Sequence, residues 1–133
     1  MTRYARLLQT AALIVVVATL PSVAADTYEV DDVHSVVLFK VKHFGVANYY
    51  GRFNDISGSI TYDKESPSAS KVEITVQAAS VDTNNEKRDK HLNSPDFLNS
   101  KQFPVITFES ESVKPGKDGA LEVKGTLKLH GVE

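Results

Sequence analysis

No cysteine occurs in the 133 residues. That absence excludes disulfide staples, thiolate zinc sites, iron–sulfur clusters and thiol nucleophiles together, so cohesion has to come from buried apolar surface and hydrogen-bonded strands. It also leaves no residue for lipid attachment at a lipoprotein cysteine. Catalytic patterns are missing as well: there is no GxSxG elbow, phosphate loop, dinucleotide-binding loop or HExxH helix. Asp32 and His34 stand close together, but no activated nucleophile accompanies them, and the residues give no reason to expect an enzyme.

A basic excess is lacking too. Residues 1–25 hold two of the 15 Lys and Arg and none of the 17 Asp and Glu, which leaves 13 against 17 and a mildly acidic remainder. Such a balance offers no general footprint for nucleic acid and no polybasic tether, so an anionic ligand has to be met by local charge. Residues 1–25 read as a cleaved Sec-type export signal. Arg3 and Arg6 give a positive start, a mostly apolar stretch follows to Leu20, and Val23-Ala24-Ala25 supplies small residues for cleavage. The apolar stretch is shorter than the roughly 20 residues that span a bilayer. The expectation is a periplasmic protein whose mature chain begins near Asp26, with residues 26–133 forming one domain.

What is present is alternation. In residues 33–43, Val33, Ser35, Val37, Phe39, Val41 and His43 form one mostly apolar face, while the other face turns from His34, Val36 and Leu38 to Lys40 and Lys42. Eleven extended residues would span roughly 36 Å, which makes this a long opening strand. Residues 45–51 read as a turn. Ile56, Gly58, Ile60 and Tyr62 then share a face, with Phe53 out of phase, so an irregularity is expected near Asn54 and Asp55. After a polar loop containing Pro67, Val72, Ile74 and Val76 alternate with Lys71, Glu73 and Thr75. Ile106 and Phe108 face one way on a later strand, with Glu109 and Glu111 the other way. Lys114 to Gly119 is a tight turn, after which Leu121, Val123, Leu127 and Leu129 alternate with polar residues.

Residues 82–100 break the pattern, with capping residues, mixed charges and Pro95 near the start of a second turn. Two short helices are expected there, covering the sheet with Leu92, Phe97 and Leu98. Five one-sided strands must bury one face, and curling into a barrel would hide it. The polar candidates are few. Arg88 and His91 read either as contacts for an anionic head group or as local fastenings of the helix to the sheet, and Arg52 is of the same kind. His34 and His43 fall on opposite faces of an uninterrupted strand, and His130 is out of phase with Leu127 and Leu129. No metal or cofactor site is therefore expected.

The chain resembles the YceI-like proteins. The resemblance rests on Asp32-Val33-His34-Ser35, Val37-Leu38-Phe39-Lys40-Val41 and His43; on Gly51-Arg52-Phe53 with Gly58; on Ala79-Ser80-Val81-Asp82-Thr83; on Arg88-Asp89-Lys90-His91-Leu92 with Phe97; on Pro104 with Thr107-Phe108; and on Gly125 with residues 127–132. It implies an exported, polyisoprenoid-binding protein: all-β with short helices, an elongated antiparallel lipocalin-like barrel, with its closing C-terminal strands missing from this sequence. By the same resemblance Val37, Phe39, Val41, Phe53, Ile60, Ile74, Val76, Ile106, Phe108, Leu127 and Leu129 line the interior, and Arg52, Arg88 and His91 are candidates for the lipid head group. The ligand is then a long-chain lipid such as a prenyl phosphate or a quinone, with no separate cofactor. An unclosed barrel also suggests a homodimer formed by strand exchange. Other readings are a filled module that engages an inner-membrane protein through its loops, or an enzyme acting on the lipid. Gly58 and Gly125 fit either a cavity left unfilled or a bulge.

Overall fold

A computed structural model describes residues 25–133. The export-signal reading of residues 1–25 therefore lies, apart from Ala25, outside the described residues. Eight strands and one helix follow in the order β1 (Asp26–Glu29), β2 (Val37–His43), β3 (Ala47–Phe53), β4 (Ile56–Tyr62), β5 (Lys71–Gln77), β6 (Val81–Asp82), α1 (Glu86–Leu92), β7 (Val105–Pro115) and β8 (Leu121–Lys128). All pairings are antiparallel, in a five-stranded sheet ordered β1-β4-β5-β7-β8 and a three-stranded sheet ordered β2-β3-β6. Among the described residues neither sheet closes on itself: β1, β8, β2 and β6 each pair on one side only.

The two sheets meet at a corner that two strand pairs turn together. β3 runs into β4 through Asn54 and Asp55, and β5 runs into β6 through a single 3-10 turn, Ala78–Ser80. Backbone bonds stitch the bends: Asn54 N–H donates to the Ser80 carbonyl at 3.2 Å and Gln77 N–H to the Asp55 carbonyl at 3.0 Å. The Ser80 hydroxyl accepts from Asp55 N–H and donates to the Gln77 carbonyl. The change of phase at Phe53 is this corner, and it lets Phe53 and Ile56, three residues apart, both point into the core.

That core consists of Phe53, Ile56, Val76, Ala78, Val81 and Ile106. Val37, Phe39, Ile74, Leu92 and Leu98 pack on it from the strands and from the α1 region. Each fully buried apolar side chain of this size contributes about 1.5–3 kcal/mol. Asn85 caps α1, its side chain accepting from Arg88 N–H at 3.0 Å.

Several expectations need correction. The long opening strand is divided: residues 31–34 form a turn in which the Asp31 carboxylate accepts from the backbone of Val33 and His34, and only Val37–His43 is extended. Polar Asx-turn chemistry at Asp31 overrides the alternation there. Residues 47–51, expected as a turn, belong to β3; the turn is shorter, Phe44 to Val46, closed by Val46 N–H to the His43 carbonyl at 3.0 Å. Of the two helices only α1 forms. After it Leu98 N–H reaches back to the Leu92 carbonyl at 2.9 Å and Phe97 N–H to the Ser94 carbonyl, so the chain coils in turns that bring Leu98 beside Leu92. Phe97 does not cover the sheet; it is half exposed and meets the His91 ring edge-on.

Candidate functional site

The apolar faces of the strands line up across the larger sheet. Ile56, Val76 and Ile106 stand in one cross-strand row, Gly58, Ile74, Phe108 and Leu127 in the next, and Tyr28, Ile60 and Val72 beyond. Burial is greatest in the corner row, lower in the next two and lowest on the edge strands β1 and β8, with Val113 a separate buried point near the far end of β7. Phe53, Val76 and Ile106 are packed core; Val37, Phe39, Ile74 and Phe108 are half-buried; Ile60, Leu129, Val41 and Leu127 are 38%, 40%, 52% and 54% exposed. The residues expected to line an interior therefore divide into a solid floor at the corner and an open apolar face beyond it. The opposite face of the same strands carries Ser57, Thr61, Glu73, Thr75, Glu109, Thr126 and Lys128.

A bulge keeps that face continuous. Between Ser110 and Ser112 the register of β7 against β8 shifts, so Phe108 and Val113, an odd number of residues apart, both side with the apolar row of β8. Glu111 is the extra residue, and its carboxylate accepts from the Thr126 hydroxyl at 2.6 Å on the polar face. Val113 is 1% exposed. Strict alternation hid Val113. Tyr28 was missed for another reason: β1 offers it as a single aromatic among polar neighbours.

The glycines do not leave a cavity. A Cβ at Gly58, whose φ is +143°, would stand 2.1 Å from the Glu73 carbonyl oxygen. At Gly125 it would meet the Glu109 carbonyl oxygen at 2.2 Å and the Phe108 ring at 2.7 Å. Close backbone approach fixes both residues, and at Gly125 the Phe108 ring fills the space. Gly51 works likewise beneath the Phe39 ring, which also packs against Phe53 with centroids 5.4 Å apart.

At the α1 end a cleft of about 400 Å³ opens between the β2–β3 hairpin and the helix, lined by Val41, His43, Tyr49, Arg88, His91, Leu92 and Phe97. Two of the three head-group candidates thus share a site with one of the apolar ones. Arg88 is held from behind. Its Nε donates to the Thr83 hydroxyl at 2.7 Å, its Nη2 donates to the Thr83 carbonyl at 2.8 Å and to the Tyr49 hydroxyl, and its guanidinium lies 4.2 Å over the Tyr49 ring. Thr83, 4% exposed, also gives its N–H and hydroxyl to the Asp89 carboxylate at 2.9 and 2.5 Å. Arg88 and Asp89 therefore fasten α1 to the smaller sheet through Thr83 rather than through each other. Nη1 of Arg88 has no hydrogen-bond partner among the described residues. His91 pairs with Asp96 at 3.2 Å at the rim.

Arg52 is elsewhere. It lies on the outer face of the smaller sheet, where its Nη2 meets Asp82 at 2.8 Å, beside a shallow concavity of about 570 Å³. Asp82 also accepts from the Asn84 backbone and the Asn54 amide, and these bonds, the Asn84 one foremost, hold its carboxyl down at about 2. Asp32 and His34 form no dyad; His34 pairs with Asp31 at 2.8 Å in the exposed turn, which lowers the Asp31 carboxyl. His130 stacks on Phe103, its ring Nε2 buried without a partner. No three His, Asp or Glu residues converge as a metal site among the described residues.

Comparison with known proteins gives this geometry a family. The model of the YceI-like domain matches residues 28–133. Protein YceI of Escherichia coli O157:H7 is 47% identical over 114 residues, covering 84% of this chain and 58% of that protein. The crystal structure of the Campylobacter jejuni YCEI protein is 37% identical, covering 79% of this chain and 61% of that one, with a TM-score of 0.60. A polyisoprenoid binding domain from Saccharophagus degradans, implicated in plant cell wall breakdown, shares the fold at 20% identity and a TM-score of 0.50, over 82% of this chain and 58% of its own. The chain thus spans about three-fifths of the length of such relatives. Its matched region, the corner-turned antiparallel sheets and the apolar inner face agree, and the chain belongs to the YceI-like domain family.

Proposed function

We propose that the protein binds a long-chain lipid, a polyisoprenoid, by laying its hydrocarbon against the apolar face that the buried corner leaves open at Ile60, Leu127 and Leu129. The observation that carries this reading is the apolar surface left open on one continuous face: Ile60, Leu127 and Leu129 keep 38–54% of their surface in water, and nothing described covers them. Covering such a surface with hydrocarbon is favourable by about 0.8 kcal/mol per CH₂, enough over several isoprene units to outweigh the ordering of a flexible chain. The fold shared with a domain described as polyisoprenoid binding supports the same ligand class.

Within this reading the α1 cleft takes the polar end of the lipid. Arg88, held by Thr83 and Tyr49 with Nη1 left over, is a preorganised donor for a phosphate or a quinone carbonyl. The role is sequestration or carriage, not turnover, and residues 1–25 direct it to the periplasm. Native mass spectrometry of protein purified without detergent tests the proposal. A retained polyprenyl lipid, lost on Leu127→Glu substitution, is the expected result. Protein that stays empty after incubation with polyprenyl lipids, at every lipid length tried, would overturn it.

A further inference from the structure

The β2–β3 hairpin carries features that lipid binding on the inner face does not use. Between Asp32 and Asp55 there is no Asp or Glu at all, although the chain holds 17 of them. The outer face of the hairpin places Leu38, Lys40 and Lys42 on β2 opposite Arg52, Tyr50 and Asn48 on β3. Arg52 is neutralised by Asp82, but neither Lys40 nor Lys42 has an ion-pair partner among the described residues. At the tip, Phe44 and Val46 are 88% and 90% exposed, the two most exposed large apolar side chains described.

The tip is also costly to the free protein. Phe44 adopts φ +47°, a left-handed conformation that a bulky residue takes at a cost of about 1–3 kcal/mol and that Asn or Gly would take with less strain. Its ring gains only an edge contact with His43, at 4.4 Å between centroids. An apolar pair at a turn where polar residues are less strained, backed by unpaired lysines and a tyrosine on an otherwise acidic chain, matches a bilayer interface. Hydrocarbon receives the tip, anionic head groups meet the lysines, and Tyr50 suits the boundary between them.

We infer that the β2–β3 hairpin docks the protein on anionic lipid bilayers, with Phe44 and Val46 entering the interface and Lys40 and Lys42 contacting the head groups. Docked this way, the cleft lined by Val41, His43 and Tyr49 lies beside the membrane, where a lipid can pass between bilayer and protein. This does not depend on which lipid the inner face holds.

The chain contains no tryptophan, so a Phe44→Trp variant reports from the tip alone. Its emission is expected to shift blue on adding phosphatidylglycerol-rich vesicles, not phosphatidylcholine vesicles, and to return at high salt. In flotation with the same vesicles, Phe44→Asn/Val46→Ser and Lys40→Gln/Lys42→Gln should each lower bound protein by roughly tenfold, since each removes one of the two attractions that interfacial binding needs. Val132→Ser, also at an exposed apolar residue but far along the chain, should not. Circular dichroism unchanged in the variants, together with unchanged farnesol binding on the inner face, separates loss of docking from loss of folding or of the inner site. Tryptophan emission that does not shift in the Phe44→Trp variant, or flotation indifferent to both double substitutions, would overturn the inference. So would sedimentation showing that Phe44 and Val46 instead drive self-association.

Discussion

Replacing Leu127 by Glu places a carboxylate in the open row without opening the core. Leu127 is 54% exposed, so roughly half of the 1.5–3 kcal/mol that full burial of a leucine contributes is at stake, a loss of about 1 kcal/mol in folding. Binding a hydrocarbon chain is a different matter. Covering the introduced carboxylate requires either that the chain move aside or that the carboxyl take up a proton. From an ordinary value near 4.3, protonation at pH 7 costs about 3.7 kcal/mol, or about 500-fold in affinity. The same step at pH 5 costs about 1 kcal/mol, so affinity relative to the native chain should recover by about a hundredfold between pH 7 and pH 5. The sign follows from linkage: the covered carboxyl has a raised pKa, so the complex binds the proton more tightly and low pH favours it. Farnesol, which does not titrate, is the appropriate ligand, followed by calorimetry. Lys124→Glu, on the polar face of the same strand, is the control and should bind within about twofold of the native chain, its charge remaining in water. If L127E binds as the native protein does at pH 7, or weakens without recovering at pH 5, the lipid does not lie on this face.

Three further outcomes are expected. Gly58→Ala should destabilise the fold by about 3 kcal/mol or more in urea unfolding, because its Cβ meets the Glu73 carbonyl at 2.1 Å at a positive φ, whereas Gly51→Ala, which need only displace the Phe39 ring, should cost about 1–2 kcal/mol. Arg88→Ala should lower stability by about 2–3 kcal/mol through the lost bonds to Thr83 and Tyr49, and Arg88→Lys should not restore it, since a single ammonium cannot reproduce the fork; equal urea midpoints would contradict this. The Asp82 carboxyl, lowered from 3.8 to about 2, stabilises the β3–β6 junction fully above pH 3.8, and that effect declines as pH falls from 3.8 and is gone once it has fallen through 2, so the protection of the Asn84 amide, taken against its intrinsic exchange rate, should fall across that interval and level off below it.

Much of this arrangement is legible in the residues. Period-two alternation marks β4, β5, β7 and β8 because each presents an apolar face on one side and a polar face on the other, and the break at Phe53 marks the corner. Where the sequence misleads, a local competitor wins. The Asp31 side chain ends the alternation early by bonding the backbone of Val33 and His34. Asn48, Tyr49 and Tyr50 look like a turn but form β3, because pairing with Lys42, Val41 and Lys40 satisfies their backbone. The bulge at Glu111 moves Val113 inward against the alternating pattern. At the site, the apolar face is visible in the pattern, but which of its residues stay open is not, since that depends on which of them the corner and Leu92 and Leu98 cover. Arg88 is visible only as one cation among the mixed charges of residues 86–91, while its tie to Thr83 and Tyr49 needs a hairpin 39 residues away to be in place.

Where the lipid lies can be read from methyl NMR of the protein titrated with farnesol. Shifts and intermolecular NOEs are expected at Ile60, Ile74, Leu127 and Leu129, which share the open face, with none at Leu38, which is 71% exposed on the outside of the smaller sheet. NOEs confined to Leu38 and its outer-face neighbours, or a saturating interaction that leaves the four inner methyls unmoved, would contradict binding on the inner face.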